Sequence, residues 1–475
     1  MKVLYCTSEA SPFASTGGLG EVAGSLPQAL RMRLIGCRVV LPLYEDIPQE
    51  LRDHMKFVTS LSVPVAWRRQ YCGVFETHVG GVIVYLIDNQ YYFKRHGLYG
   101  HYDDAERFAF LSRAALEMLP YIDFKPDIIH ANDWQTALVP VYFSIFYAAK
   151  EWYRGIKTVF TIHNIQYQGK YGKELIEDVL GVPESSVPLL EYGGCVNLLK
   201  GAVECANCVT TVSPTYAKEI LDPWFAYGME EILRERAWKL SGILNGIDVR
   251  VYNPETDENL YANYAADDPA GKAENKAQLQ KRLGLAQKPE VPLVGMVTRM
   301  VAAKGLDLLE QTLDRIMRQM NLQFVILGSG DWEYENFFRE IQGRYPGRLC
   351  GCFGFLPELS HKIYAASDIF LMPSRTEPCG LAQMIALRYG AVPVVRETGG
   401  LKDTVSDSGD GKGNGFTFQE YSGDDMAGAL DRALKGYANR EGWKILMRRG
   451  MECDFSWGRS ANEYIRLYRG LIKKT

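Results

Sequence analysis

The sequence predicts an α/β protein of two domains with parallel sheets, and three observations carry that prediction. A short β-branched run, a loop with glycine and an amphipathic helix recur along the chain, the pattern of parallel strands joined by helical crossovers. The recurrence breaks once, in the proline- and aspartate-rich stretch "GILNGIDVRVYNPETDENLYANYAADDPAGK" that begins at Gly242, and then restarts. The chain also has 475 residues, more than one hydrophobic core usually supports.

"KVLYCTS" reads as the first strand, and the glycine loop "SPFASTGGLGEVAG" (Ser11–Gly24) leads from it into a helix through "GEVAGSLPQALRMRL". "RVVLPLY" is the next strand. From Phe57 to Ile87 apolar and polar residues alternate at period two, which predicts an antiparallel excursion on the sheet. "PDIIHAND" is a strand followed by the helical "WQTALVPVYFSIFYAAKEW", "KTVFTIHN" is another, and "CVTTVSP" precedes helical patterning through "MEEILRERAWKL". After the break, "PLVGMVTRM", "LQFVILGSG", "DIFLMPS" and "AVPVVRE" each precede a helix, and "SANEYIRLYRGLIKK" reads as a final helix able to pack back across the linker. The expected domains are residues 1–246 and 247–455, with 456–475 as the returning helix. A cleft between two such halves is a common place for a ligand.

Composition narrows the function. The chain is 47% hydrophobic and 23% charged with a formal net charge of −4, and its basic residues are scattered, so no basic stripe for nucleic acid is present. The longest apolar stretch, "TALVPVYFSIFYAA", is too short for a bilayer and contains proline, and "MKVLYCTSEA" reads as a strand instead of a signal peptide. A cytoplasmic chain with reduced thiols is expected, without membrane or nucleic-acid partners. Cys205 and Cys208 have metal-ligand spacing, but no second CxxC accompanies them and Cys350 and Cys352 are separated by a single residue. Buried, inert thiols are therefore expected over a structural zinc site, and no metal or cofactor is expected.

Ligands of parallel sheets sit at the carboxyl ends of strands, and every informative motif falls just after one. Arg299 and Lys304 in "VTRMVAAKGLDLL" flank a short loop before a helix, two cations suited to a pyrophosphate; a surface arginine and a helix-start lysine would look the same. Glu377 lies between a buried strand and a helix beginning near Gly380, where a carboxylate suits sugar hydroxyls or a helix cap. His163 closes a buried strand, a position that more often holds a structural histidine than a catalyst. HExxH, GxxxxGK[ST] and D-x-D are all absent, and the opening loop is not GxGxxG.

Together "STGGLGEVAGSLPQAL", "HANDWQTALVP", "TIHNIQYQG", "GILNGIDVRVYNP", "KGLDLL", "SDIFLMPSRTEPCGLAQMIALRYGAVPVVRETGGLKDTV" and "GNGFTF" resemble the bacterial glycogen synthase family, related to plant starch synthases. The resemblance implies a GT-B fold of two Rossmann-like domains facing a deep interdomain cleft. It also implies retaining transfer of glucose from ADP-glucose to the non-reducing end of an α-1,4-glucan such as glycogen, with no metal. By position, Arg299 and Lys304 would neutralise the pyrophosphate. Glu377 would hold glucose hydroxyls, and the N–H groups of Gly380 and Leu381 would meet sugar or phosphate. His163 would lie against the glucose with its carbonyl near the developing positive charge. Asp133 and Trp134 fall near donor glucose and acceptor, Asn245 in the sugar-contacting "NG", and Phe355 along the nucleobase or ribose. Ile385 stands where the E-x7-E pattern of other retaining GT-B enzymes has its second glutamate, a departure that favours this branch.

The family loop reads K-T-G-G-L, and here Ser15 replaces the lysine ahead of Gly17 and Gly18. Glu21, Asn132 and Ala382 also depart, from aspartate, histidine and threonine or serine. The glycines can still bring backbone N–H groups to an anion. Loss of one charge-assisted contact to phosphate corresponds to ~1.5–3 kcal/mol, roughly ten- to a hundredfold. The expectation is thus a weakened ADP-glucose enzyme, against a transferase preferring UDP-glucose or a weak glucan-binding or priming partner of another synthase.

Overall fold

Strands buried on both faces read as unbroken apolar runs, and the sheets of this protein are built from such runs. A computed structural model describes residues 1–473 and divides the chain into two compact units. One comprises Met1–Asn245 together with the chain from Trp457 onward, the other Gly246–Ser456.

The first unit holds β1 (Lys2–Cys6), β2 (Gly36–Pro42), β3 (Lys56–Val65), β4 (Arg68–Val79), β5 (Val82–Asp88), β6 (Ile128–Asn132) and β7 (Lys157–Ile162). A small sheet of β8 (Lys170–Tyr171), β9 (Glu191–Tyr192) and β10 (Cys195–Asn197) follows, then β11 (Cys208–Thr211) and β12 (Leu240–Gly242). The main sheet runs β12-β11-β7-β6-β1-β2-β5-β4-β3. The period-two stretch forms antiparallel β3–β4 and β4–β5 pairs, and β5 then lies parallel to β2. Val3, Leu4 and Tyr5 of β1 are wholly buried, whereas β3 at the sheet edge is largely open to solvent.

Because β1 has β2 on one side and β6 on the other, the strand order reverses between β1 and β6. Loops after β1, β6 and β7 gather at that reversal, on the carboxyl edge where open α/β sheets bind ligands. The first of them enters α1 (Gly18–Arg31), which buries Leu19, Val22, Ala23, Leu26 and Leu30.

The stretch after β6, expected as one helix, is interrupted. A tight turn at Trp134–Thr136 precedes α2 (Leu138–Tyr142), and a wide turn follows at Phe143–Tyr147, where Ala148 N–H bonds to the Phe143 carbonyl five residues back. Pro140 lies in the first turn of α2, where its missing N–H has no helical partner to lose.

The second unit contains β13 (Leu293–Val297), β14 (Gln323–Gly328), β15 (Leu349–Phe353), β16 (Ile369–Met372), β17 (Val392–Arg396) and β18 (Phe416–Phe418). All pairs are parallel, in the order β15-β14-β13-β16-β17-β18, the doubly wound Rossmann arrangement. Its α3 (Leu306–Gln319) turns Leu306, Leu309, Leu313 and Ile316 into a core shared with Phe324, Phe338 and Leu430. The order reverses between β13 and β16. There Gly305 sits at φ 75°, and a Cβ on it would lie 2.1 Å from the Pro373 carbonyl oxygen. Glycine thus lets the loop after β13 press against the loop after β16.

The final helix of the chain, α5 (Trp457–Lys473), belongs to the first unit; α4 (Ala382–Arg388) lies in the second. α5 packs against α1, with Arg33 Nε donating to Asn462 Oδ1 at 2.8 Å and Ser460 Oγ to the Leu244 carbonyl at 2.6 Å. No described helix is long and apolar enough to cross a membrane.

A Gly305→Ala chain should lose at least about 1–2 kcal/mol from the left-handed backbone alone. The clash with Pro373 adds to this. Scanning calorimetry should show an earlier unfolding transition than wild type.

Candidate active site

At the strand-order reversal of the second unit, the loop after β13 brings Lys304 onto Glu377 from the loop after β16. Lys304 Nζ donates to both Glu377 oxygens, at 2.8 and 2.7 Å, and Ser374 Oγ donates to Oε2 at 2.8 Å. Glu377 is 5% exposed. The backbone of Glu377 is also clasped: Gly400 N–H donates to its carbonyl at 3.1 Å, and a Cβ on Gly399 (φ 44°) would meet that oxygen at 1.9 Å.

The same edge carries the other residues singled out in this half. Arg299 is exposed, and its guanidinium has no hydrogen bond or ion pair among the described residues. Gly380 sits at φ 69° and Leu381 beside it opens α4, both half-buried. Phe355 follows β15 and is 89% exposed. The loops interlock through Met300 and Gly330, where a Cβ on the glycine would come within 2.4 Å of the Met300 carbonyl.

In the first unit, Asp133 follows β6 in the left-handed region at φ 55°, unusual for a residue with a side chain. Its Oδ1 accepts the His163 N–H at 2.7 Å and the Asn164 N–H at 3.4 Å, so it fixes the chain leaving β7. Burial raises its carboxyl to about 7, against the two N–H bonds that lower it.

Asn132 sets the state of the His163 ring. Its Nδ2 donates to the Cys6 carbonyl at 3.0 Å, which turns Oδ1 toward His163 Nε2, 3.0 Å away. An oxygen acceptor there requires the proton on Nε2, leaving Nδ1 with a free lone pair. Burial holds His163 down to about 3, so the ring is neutral at physiological pH.

Ser15 and Gly17 are exposed in the loop after β1, as is Gly18 at the start of α1. A Cβ on Gly17 or Gly18 would meet nothing within 4 Å, whereas one on Gly20 would lie 2.3 Å from Ser15 Oγ. Packing therefore demands glycine at 20 and not at 17 or 18. Glu9, absent from the sequence-based candidates, anchors this loop: it is 4% exposed and accepts from Thr16 N–H at 2.5 Å and Tyr99 OH at 2.7 Å. A carboxylate three residues past a buried strand was its only signal in the sequence. Trp134 packs edge-on against Phe108 at 5.2 Å. Asn245 is 5% exposed, and its Oδ1 has no partner among the described residues.

Among the described residues no group of three or more His, Cys, Asp or Glu is arranged to hold a metal. Cys205 ends a helix and Cys208 opens β11; burial pushes the Cys205 thiol up to about 11.

Comparison with known proteins matches this architecture. The starch synthase catalytic domain family matches residues 2–235, and glycosyl transferases group 1 matches residues 277–446. A glycogen synthase of Geobacillus thermodenitrificans is 49% identical over 100% of this chain and 98% of its own. The chain belongs to the bacterial glycogen synthase family. Another member, from Alkaliphilus metalliredigens, is 46% identical over 99% of this chain and all of its own. The catalytic domain of starch synthase IV from Arabidopsis thaliana, solved bound to ADP and acarbose, superposes with a TM-score of 0.91 at 38% identity, covering 99% of each chain. A sucrose-phosphate synthase of Thermosynechococcus elongatus shares the fold, with a TM-score of 0.64 at 17% identity over the full length of both chains. The protein is a glycosyltransferase of GT-B-like fold, with two α/β domains.

Folding raises the Asp133 carboxyl from 3.8 to about 7, so the folded chain keeps a proton the unfolded chain releases. That stabilisation is complete below about pH 4 and is lost as pH rises to about 7. Relative to Asp133→Asn, wild type should therefore lose stability from pH 5 to 7.5 and hold constant from 7.5 to 9, read from unfolding midpoints.

Proposed function

We propose that this protein transfers glucose from ADP-glucose to the non-reducing end of an α-1,4-glucan with retention of configuration. The observation that carries the reading is the Lys304–Glu377 pair at the strand-order reversal, with Arg299, unpaired among the described residues, on the same edge. The family membership and the ADP and acarbose bound by the starch synthase relative support the donor and the glucan.

The leaving group is a nucleoside diphosphate whose negative charge grows as the C1–oxygen bond breaks. Arg299 and Lys304 supply two cations against that charge, electrostatic stabilisation of the kind that usually dominates such steps. Glu377, with Lys304 on both oxygens and Ser374 on Oε2, keeps an acceptor position on Oε1 for a glucose hydroxyl. The N–H groups of Gly380 and Leu381 serve sugar or phosphate, and the Phe355 ring lies along nucleobase or ribose. Gly17 and Gly18, which packing within the chain does not require, leave the backbone after β1 open to the donor phosphates beside Ser15. Asn245 turns its unpartnered Oδ1 to a sugar hydroxyl.

His163 is neutral, so it acts through hydrogen bonding and its carbonyl, not as a proton donor. Its Nδ1 lone pair accepts a glucose hydroxyl, and its carbonyl dipole steadies the positive charge developing at C1. Asp133 holds the His163 backbone, and Trp134 offers an apolar face to the acceptor. The acceptor hydroxyl attacks C1 on the face the diphosphate leaves, and its proton passes to the departing phosphate oxygen. No second carboxylate is needed, in keeping with Ile385 at the eighth position beyond Glu377. The reaction is assigned to the cytoplasm, in line with the bacterial relatives and the free thiols.

The test is glucose incorporation into glycogen from ADP-glucose and from UDP-glucose, for wild type, Ser15→Lys and Arg299→Ala. Wild type should turn over ADP-glucose, Arg299→Ala should lose about ten- to a hundredfold, and Ser15→Lys should raise kcat/KM. Preference for UDP-glucose would replace the donor assignment. Binding of glycogen without turnover by wild type or Ser15→Lys would make the chain a glucan-binding partner.

A further inference from the structure

Behind His163, the face of the sheet carries a row of buried polar side chains that the reaction above does not use. On β6, His130 and Asn132 are two residues apart and share a face; on β7 and just past it, Thr161 and His163 do the same. The strands pair with Asn132 opposite Thr161. Two side-chain rungs cross between them: His130 Nε2 to Thr161 Oγ1 at 2.6 Å, and Asn132 Oδ1 to His163 Nε2 at 3.0 Å. The inner rung continues to Thr210 Oγ1 of β11 at 2.6 Å and, in the other direction, from His130 Nδ1 to Tyr468 OH of α5 at 2.7 Å.

Every inner member is shielded from water: His130, Asn132, Thr161, Thr210 and Tyr468 have no exposed surface. Tyr5, Tyr464 and Tyr468 surround the His130 ring at centroid distances of 5.0, 5.6 and 5.9 Å. Burial keeps His130 neutral, near 3. A neutral imidazole with both nitrogens engaged donates once and accepts once, and each threonine hydroxyl has a single proton to give. The row therefore has two self-consistent patterns, each the reverse of the other, and in either one removing any member leaves a buried partner unsatisfied.

His163 depends on this row because it lies beyond the last paired residue of β7, Ile162. Among the described residues only Asp133 holds its N–H and only Asn132 its ring, and both sit at the end of β6. The spacing of the β6 and β7 ends thus sets where the ring stands.

We propose that Tyr468 and His130 are positioning residues for His163: the C-terminal helix, through the Tyr468–His130–Thr161–Thr210 row, fixes the β6–β7 spacing that sets the His163 ring. The proposal rests on the assignment of His163 to the donor glucose.

The experiment compares wild type, Tyr468→Phe, Thr161→Val, their double variant and Thr161→Ser. It reads kcat and donor KM for glucose transfer to glycogen at 25 °C, unfolding midpoint, and the imidazole nitrogen resonances of the chain's seven histidines. Tyr468→Phe and Thr161→Val should each lower kcat about tenfold, with donor KM within about twofold and a shifted His163 resonance. The double variant should lose less than the product of the singles, since both break one row. Thr161→Ser, which keeps the hydroxyl, should retain wild-type kcat and the His163 resonance. Unchanged kcat with a lowered midpoint would make the row a stabilising feature only and overturn the proposal. If wild type transfers no glucose, the assignment of function fails and the His163 resonance alone decides: a shift in Tyr468→Phe upholds the coupling, and no shift overturns it.

Discussion

The contact between Lys304 and Glu377 exists because two loops separated by 73 residues are pressed together where the strand order of the second sheet reverses. Gly305 admits the Pro373 carbonyl on one side, and Gly399 and Gly400 admit the backbone of Glu377 and Cys379 on the other. A charge pair this shielded returns little net stability over well-packed apolar groups, because both ions lose their hydration. Its use lies in geometry. Lys304 is held by both carboxylate oxygens and Ser374 by Oε2, so a cation and a carboxylate stand at fixed places before any ligand arrives.

The carboxyl edge of the first unit reaches order by another route. There the fixing groups are Asn132, Asp133 and Glu9, and what they orient is a neutral ring and a glycine-rich loop. Asn132 stands where the family resemblance led to an expected histidine, and the structure supplies a role for it: an amide oriented by the Cys6 carbonyl dictates the tautomer of His163. One unit thus holds a fixed charge pair, the other a ring of fixed tautomer and an exposed pair of glycines.

The fold was largely legible because parallel strands buried on both faces leave continuous β-branched runs, as in "KVLYC", "KTVFTI" and "QFVILG". The interruption after Trp134 was not, since its apolar periodicity is the same whether the turns are even or widen at Phe143. Candidate residues could be located by their place after strands, but not their pairings. Lys304 and Glu377 read as a separate cation and carboxylate, and nothing in the sequence links His130 to Tyr468, 338 positions away. Glu9 escaped notice because a lone carboxylate in a polar loop looks solvated until Tyr99 and Thr16 are seen to close on it.

The return of α5 to the first unit bears on how the protein is made. Tyr5 and His130 leave the ribosome early, yet the helix that covers them follows the whole of Gly246–Ser456. At ordinary synthesis rates that delay is on the order of ten to forty seconds. Throughout it the nascent sheet lacks the helix that packs on Tyr5 and His130, so the unit that emerges first is completed last.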